Sequence, residues 1–326
     1  MRLFRNTNIP FVRVRYVAYV ISAILILAGI FAFITKGLNW SIDFTSGVAA
    51  KVSLKALDET IPKVRIAELR SVLKNNGFPE AEIQHIGEPD NSSFMIKIKS
   101  KTDEADVSSE TKNRILEILT QNFSKYVEGR NLSTEVIEEI YVVGPKVGAE
   151  LRTQAMLAVI ISLVLMIIYI WFRFELTFGV MAIVALFHDV MIIVGIFALT
   201  GKEITIQIIA ALLTIVGYSI NDTIVIFDRI REDLKVHRKD PIPVIFNRSI
   251  NQTLGRTTIT AGTTLMTALA LFFFGGTVLH DFAFAMCLGI FFGTYSSIFV
   301  ASNLVLDAYA VTHKEKQAIQ HLTKKK

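Results

Sequence analysis

The segment 154–172 has the sequence QAMLAVIISLVLMIIYIWF, an apolar run that contains no charged residue. A helix that crosses a bilayer needs roughly 20 predominantly apolar residues. Working outward from this segment, we find five further windows of that kind, and the complete set is 16–35, 154–172, 178–199, 204–227, 257–275 and 282–306. The sequence therefore predicts a polytopic α-helical membrane protein with six transmembrane helices, the last five forming one bundle over 154–306.

The overall composition agrees with a membrane protein. Hydrophobic residues make up 52% of the 326 residues and charged residues only 19%, whereas soluble domains carry about 25% charged residues. The formal net charge is +5, and the basic residues are concentrated in a few short segments. This pattern favours topology signals over nucleic-acid binding. The single cysteine, Cys287, excludes an intramolecular disulfide and a cysteine-based metal site.

Short basic segments also predict the orientation of the chain, because Lys and Arg accumulate on the cytoplasmic side of a membrane. The N-terminus, the 228–256 loop and the C-terminal tail are basic, whereas the alternate hairpins hold Lys202 as their only Lys or Arg. We therefore expect 1–15 and 307–326 to be cytoplasmic. The first window resembles the apolar core of a signal peptide, but it is longer and no small-residue cleavage site precedes Lys36, so we interpret it as an uncleaved anchor.

The long segment 36–153 is expected outside the cytoplasm as a folded domain. Apolar and polar residues alternate in 48–54 and 93–99, as they do in half-buried strands, and 81–86 and 136–143 also have strand character. Helical periodicity marks 63–76 and 108–123. The order β-α-β-β-α-β predicts a ferredoxin-like α+β domain. Such a fold hosts many functions and does not define a chemistry.

Polar residues within the spans are the candidate functional residues, because ionisable groups there are costly and usually functional. Tyr218 and Asp222 lie one helical turn apart in the fourth window, with Asn221 beside them. Asp222 lies toward the predicted cytoplasmic end. The alternative is a carboxylate that only reaches interfacial water.

The fifth window carries a hydrophilic face. Its members are Gln252, Arg256, Thr260, Thr264 and Thr267. Hydroxyls at this spacing can bond a neighbouring helix or hold a file of water, and simple helix packing is the alternative. Arg256 could likewise be a topology anchor. However, the fourth and fifth spans run antiparallel, so we expect Arg256 at the depth of Asp222, where the two charges can pair.

Two further groups of residues in the spans were considered. His188 and Asp189 lie near the middle of the third window, where a neutral histidine bonded to a neighbour and a role beside Asp222 are both open. Small residues are expected to let helices approach closely, and they are Gly179, Gly195, Gly217, Gly262 and Gly289.

Signatures of enzymes are absent from the sequence. It contains no His-Glu-x-x-His string, no intramembrane aspartyl-protease motif and no phosphate-binding P-loop. We therefore expect neither catalytic residues, nor a cofactor, nor a metal site.

Four motifs carry a resemblance to a known family. They are GYSINDTIVIFDRIRE at 217–232, NRSINQTL at 247–254 followed by Arg256, HDV at 188–190, and VGPKVG at 143–148. Together they resemble the SecF members of the SecD/SecF family of protein-export membrane proteins, within the resistance-nodulation-division superfamily. The order of the chain, one span followed by a folded domain and five spans, is also that of one half of a resistance-nodulation-division transporter. Full-length members of that superfamily carry this order twice.

This resemblance implies a function, partners and a location. The expected function is assistance to Sec-dependent protein translocation across the bacterial inner membrane, driven by the proton-motive force, with Asp222 and Arg256 in the proton path. The implied partners are SecD, the SecYEG translocon, preproteins and protons, with YajC as a further candidate. A half-size exporter of lipids or small hydrophobic molecules from the same superfamily is the alternative.

One motif departs from the family pattern. After the first span the family usually has Gly-x-Asp-Phe-x-Gly-Gly, and this chain has SIDFTSG at 41–47, so that Asp43, Phe44 and Gly47 match. Ser41 and Ser46 replace glycines. If those positions required a positive φ, the serines would be strained.

Overall fold

The structure, a computed structural model, describes residues 7–55, 61–86, 92–99, 105–309 and 311. Six of its helices are long and apolar enough to cross a membrane, which confirms the six predicted spans. The first is α1 (Arg15–Lys36), and the chain leaves it through Gly37, whose φ is 72°. The predicted cytoplasmic ends of the chain, 1–6 and most of the tail after Tyr309, lie outside the described residues.

An α+β domain follows α1. Its elements are β1 (Asn39–Trp40), β2 (Gly47–Ser53), α2 (Ile66–Asn75), β3 (Glu82–His85), β4 (Ser93–Lys99), α3 (Ala105–Asn122), α4 (Ser124–Val127) and β5 (Ile137–Val143). Four strands form one antiparallel sheet in the order β3-β4-β2-β5. The succession of strands and helices confirms the predicted ferredoxin-like organisation.

The two faces of this sheet have different partners. Alternate residues of β2 and β4, such as Val48, Val52 and Ile96, are fully buried against α2 and α3. The residues between them, such as Lys51 and Lys97, line a cleft of about 260 Å³ whose other wall belongs to the transmembrane bundle. The period of two along each strand therefore separates an apolar core from a polar face turned toward the membrane helices.

The transmembrane bundle follows β5 directly. Its elements are α5 (Pro145–Arg173), α6 (Leu176–Thr200), β6 (Glu203–Ile204), α7 (Ile206–Val236), α8 (Ile242–Phe274) and α9 (Gly276–Tyr295). A π-helical turn at Ser296–Ala301 interrupts the last span, which continues to Tyr309. The helix α5 starts earlier than its predicted window because Pro145 is suited to the first position of a helix.

The helices of the bundle are buried to different degrees. In α6, in α7 and in the last span, half of the residues in the most apolar window of the helix are buried. The corresponding share is only 17% in α8 and 6% in α5. The centre of the bundle therefore consists of α6, α7 and α9. A parallel pairing of β1 with β6 joins the segment after α1 to the α6–α7 connection.

Candidate functional site

Asp222 lies on α7 with only 3% of its surface exposed. Its carboxyl group interacts electrostatically with Arg256 of α8, whose side chain is exposed. Within the described part of the chain, no salt bridge joins the two residues, and the Asp222 Oδ2 atom has no hydrogen-bond partner. The structure thus brings the predicted pair into electrostatic range but does not close it into an ion pair.

Further polar atoms near Asp222 lack partners among the described residues. The Tyr218 hydroxyl is one, and Thr264 of α8 and Thr294 of α9 approach it. The Thr294 hydroxyl is another, whereas the Thr264 hydroxyl donates to the carbonyl of Thr260 in its own helix at 2.9 Å. Buried polar groups of this kind are normally satisfied by protein or by ordered water. The hydroxyls of Tyr218 and Thr294 and the Asp222 Oδ2 atom are thus buried polar atoms without a partner among the described residues.

Two residues that the sequence grouped with Asp222 lie elsewhere. Asn221 is exposed and lines a groove between α5 and α7. Gln252 is exposed near the end of the bundle, and its Oε1 accepts a 2.5 Å hydrogen bond from Arg229. Asn221 does not face Asp222's neighbours on α8, because successive positions of a helix point in different directions. Gln252 lies one helical turn from Arg256 on the same face, and it bonds Arg229 instead of Asp222.

His188 and Asp189 of α6 form the centre of a buried hydrogen-bond network. His188 Nδ1 lies 2.9 Å from Asp189 Oδ1. Asp189 Oδ2 accepts hydrogen bonds from the hydroxyls of Ser219 on α7, at 2.6 Å, and Ser296 on the π turn, at 2.9 Å. His188 Nε2 lies 2.8 Å from the Ser22 hydroxyl of α1. Four separate parts of the bundle therefore meet at this pair.

The sequence did not identify the serine partners of this network. A single serine in an apolar helix is common, so Ser22, Ser219 and Ser296 gave no signal on their own. The available signal was the His188-Asp189 dipeptide near the middle of a span, since such a pair needs partners from neighbouring helices. The network also adjoins a π-helical turn, and such turns are frequent at functional sites.

The loop with Asp43, Phe44 and Gly47 connects the sheet to the bundle. Asp43 Oδ2 accepts a 3.4 Å hydrogen bond from the Ile206 amide at the start of α7, and Phe44 packs against Trp40. A Cβ atom at Gly47 would lie 2.3 Å from the carbonyl oxygen of Ile98, so this position requires glycine for close packing.

The concern about strain at the two serines of this loop was wrong. Among the described non-glycine residues, only Ser92 has a positive φ. Ser41 and Ser46 are instead buried in ordinary backbone conformations, and Ser41 Oγ accepts a 3.3 Å hydrogen bond from the Asp43 amide. Serine therefore fits both positions without backbone strain.

An ionic cluster lies where the sheet meets the α6–α7 connection. Glu203 of β6 is 4% exposed and receives a hydrogen bond from Lys97 of β4. Burial, assisted by the neighbouring carboxyl of Glu82 and opposed by Lys97, raises the pKa of Glu203 to about 7. Burial also acts on Glu82, but hydrogen bonds with Glu203 and Asn39 lower its pKa. The same neighbourhood therefore raises the pKa of Glu203 and lowers that of Glu82.

Comparisons with known proteins show close relatives. Residues 123–311 match the family described as "Protein export membrane protein SecD/SecF, C-terminal", and residues 31–49 match the "SecD/SecF GG Motif". The chain is 42% identical over 309 residues to the protein translocase subunit SecF of Desulfurispirillum indicum, an alignment that covers 94% of this chain and 93% of that protein. It is 45% identical over 294 residues to the protein translocase subunit SecDF of Thermus thermophilus, covering 88% of this chain and 37% of that protein.

Solved structures resemble the whole chain. The crystal structure of SecDF from Thermus thermophilus, described as a translocon-associated membrane protein, matches with a TM-score of 0.78 and 39% identity, over 95% of this chain and 40% of that one. The structure of SecDF in a super-membrane-facing form matches with a TM-score of 0.64 and 41% identity, over 95% and 39%.

Proposed function

This chain belongs to the SecD/SecF family of protein export membrane proteins, and we propose that it is a SecF subunit that uses the proton-motive force to assist Sec-dependent protein translocation. The relatives that support this proposal are named as protein translocase subunits. No observation favours the alternative of a half-size exporter. The proposed location is the bacterial inner membrane, with both termini in the cytoplasm.

Asp222 is the observation that carries the use of protons. A charged carboxylate inside a membrane is costly, and Arg256 lies near enough to offset part of that cost. Because the two groups are not closed into an ion pair, a small movement of α7 against α8 changes how well the charged form is stabilised. Proton binding and helix movement are then coupled. One proton that crosses about 100 mV releases roughly 2.3 kcal/mol, enough to shift the ratio of two conformations by about fortyfold.

The proposed partner is a SecD-like half. This chain aligns with about two fifths of the length of the SecDF relatives. On this chain, Arg256 and Asn221 are exposed within spans, and α8 buries little of its apolar window. An arginine that faced lipid would be costly, so a second half that covers this side of α7 and α8 removes that cost. The SecYEG translocon, preproteins and YajC complete the proposed set of partners.

The test uses Asp222→Asn in inner-membrane vesicles that contain the partner subunits. The amide has the size of a protonated carboxyl group, so we expect normal abundance and normal co-purification of SecD, but no stimulation of preprotein translocation by a proton gradient. Arg256→Lys should retain part of the stimulation, because lysine keeps the charge but lacks the planar guanidinium. Asp228→Asn is the matched control, since this carboxylate of α7 is paired with Arg173 outside the Asp222 cluster.

A purely structural pair predicts another pattern. Asp222→Asn and Arg256→Ala would each lower abundance, and the double neutral variant would restore both abundance and export. Full gradient-dependent export by a normally expressed Asp222→Asn protein would contradict the proposal.

A further inference from the structure

A continuous series of polar contacts starts at Asp189 and crosses the bundle. Asp189 Oδ1 lies 2.9 Å from His188 Nδ1, and His188 Nε2 lies 2.8 Å from Ser22 Oγ. Ser22 Oγ lies 3.3 Å from the Tyr295 hydroxyl, which donates to the Ala18 carbonyl at 2.8 Å. These four contacts link α6, α1 and α9, and we call them the Asp189 chain. Asp222 is not a member.

The number of hydrogens in the Asp189 chain is informative. With a charged Asp189 and a neutral His188, three hydrogens are available, one each from the imidazole, Ser22 and Tyr295. Four contacts need four hydrogens. One contact is therefore left without a hydrogen, whichever way the hydroxyls turn. The 3.3 Å contact between Ser22 and Tyr295 is the longest of the four, as expected for the vacant one.

Adding one proton completes the series. The proton can reside on His188, as an imidazolium beside the charged Asp189, or on Asp189 Oδ1 beside a neutral His188. In both forms His188 Nε2 donates to Ser22, Ser22 donates to Tyr295, and all four contacts contain a hydrogen. The other carboxylate oxygen does not offer an equivalent place, because Asp189 Oδ2 already accepts hydrogen bonds from Ser219 and Ser296.

The surroundings of the pair contain few competing charges. The faces packed against it contribute neutral hydroxyls, from Ser22 of α1, Ser219 of α7 and Ser296 of the π turn. The titratable residues of these elements that lie nearest in sequence to the four hydroxyl-bearing residues are Tyr218 and Asp222 of α7, on either side of Ser219, and Tyr19 of α1, which bonds Asp307. Tyr295 of α9 belongs to the chain itself. Among the described residues, His188 is the basic side chain at contact distance from the carboxyl group of Asp189.

We propose that His188 and Asp189 form a second proton-binding site in the bundle, separate from Asp222, which takes up one proton and completes the Asp189 chain. A hydronium ion supplies the proton: one of its O–H bonds breaks, an N–H bond on His188 or an O–H bond on Asp189 forms, and a water molecule is released. Its uptake closes the Ser22–Tyr295 contact and so draws α1 toward α9 beside the π turn. This site does not depend on the role proposed for Asp222.

The test measures proton binding directly. The full chain, purified with its partner subunit in lipid nanodiscs, is examined at a series of pH values by nuclear magnetic resonance of ¹⁵N-labelled histidine and by infrared difference spectroscopy. We expect one cooperative change in the His188 signals and the Asp189 carboxyl signals. It should disappear in Asp189→Asn and His188→Gln and persist in Asp222→Asn.

Tyr295→Phe provides a test in a protein that retains both members of the pair. Phenylalanine removes the Tyr295 hydroxyl, and with it two contacts and one hydrogen. The two remaining contacts, Asp189–His188 and His188–Ser22, already have one hydrogen each without an added proton. Proton uptake by the wild type forms one additional hydrogen bond, worth about 1 kcal/mol, and proton uptake by the variant forms none. The proton-binding constant of the variant should therefore be about fivefold lower. Tyr19→Phe is the matched control, because the Tyr19 hydroxyl donates to Asp307 and lies outside the chain.

Two results would overturn the proposal. One is a wild-type protein in which neither His188 nor Asp189 changes protonation between the pH limits of its folded state. The other is a Tyr295→Phe protein that binds the proton as tightly as wild type and is merely less stable, which would make the Asp189 chain a structural brace. If Asp189→Asn fails to fold, the comparison of Tyr295→Phe with Tyr19→Phe still decides between these outcomes.

Discussion

At the scale of single residues, glycines determine how closely α1 approaches α6. A Cβ atom at Gly195 would lie 2.7 Å from the Gly29 Cα atom, so the two backbones touch. Close approach was predicted correctly for Gly195 and also for Gly289, which packs on Ile215. It was wrong for Gly217 and Gly262, where no described atom lies within 4 Å of the Cβ position. Among these positions, the sequence did not distinguish packed glycines from open ones.

We therefore predict that Gly195→Ala is destabilising and Gly262→Ala is not. The added methyl group must push α1 and α6 apart, and overpacking of this kind costs about 1–3 kcal/mol. At Gly262 the methyl meets open space, and alanine improves helix propensity by up to about 1 kcal/mol. Thermal unfolding of both variants in the same detergent measures the difference. Equal unfolding temperatures would contradict the proposed backbone contact.

At the scale of elements, the pairing of β1 with β6 joins the sheet domain to the bundle. The Ser41 amide donates to the Ile204 carbonyl at 3.0 Å, and Glu203 beside it is bonded to Lys97 of the sheet. Backbone hydrogen bonds, one buried ionic cluster and the contact of Asp43 with the start of α7 therefore contribute to the junction. Its strength should depend on the protonation of Glu203, because that carboxyl group is the most buried member of the cluster.

We predict that the junction loosens as the pH rises through about 7. The pKa of Glu203 is raised in the folded state from 4.5 to about 7, so its favourable contribution is complete below pH 4.5 and is lost as the pH rises through 7. The hydrogen-exchange protection factor of the Ser41 amide should fall as the pH rises from about 4.5 to about 7 and then level off. Glu203→Gln should remove this pH dependence, whereas Glu138→Gln, in a half-exposed pair with Lys51, should leave it unchanged.

At the scale of the whole molecule, the chain presents one half of a larger assembly. The core of the bundle lies within α6, α7 and the last span, while α5 and α8 bury little of their apolar windows. These two helices must therefore face lipid or a partner. The sheet domain stands at one end of the bundle, over the starts of α7 and α9, as its cleft shows.

We predict that this sheet domain lies outside the cytoplasm and the α7–α8 connection inside, because the basic residues cluster in that connection. In a Cys287→Ala background, an impermeant thiol reagent should label Glu117→Cys in intact spheroplasts and Lys239→Cys only after lysis. Both positions are exposed, so access to the aqueous phase is the variable that differs. Labelling of Lys239→Cys alone in intact spheroplasts would invert the topology.

The sequence alone determined the six spans and the β-α-β-β-α-β order, and it selected Asp222, Arg256 and the His188-Asp189 pair as candidate functional residues. These features depend on local quantities. Apolar length, periodicity and a charge within an apolar run can each be recognised from neighbouring positions in the chain.

Only the tertiary structure decided which polar residues share a site. Asn221 adjoins Asp222 in sequence but lines a groove beside α5, and Gln252 lies one turn from Arg256 but bonds Arg229. Ser22 and Tyr295, in contrast, are distant in sequence and meet at His188. The open Asp222–Arg256 pair was likewise beyond the sequence, since matched depth does not set the distance between two helices. Burial and hydrogen bonding of a side chain depend on the rotation and spacing of packed helices, and those are set by contacts between residues far apart in the chain.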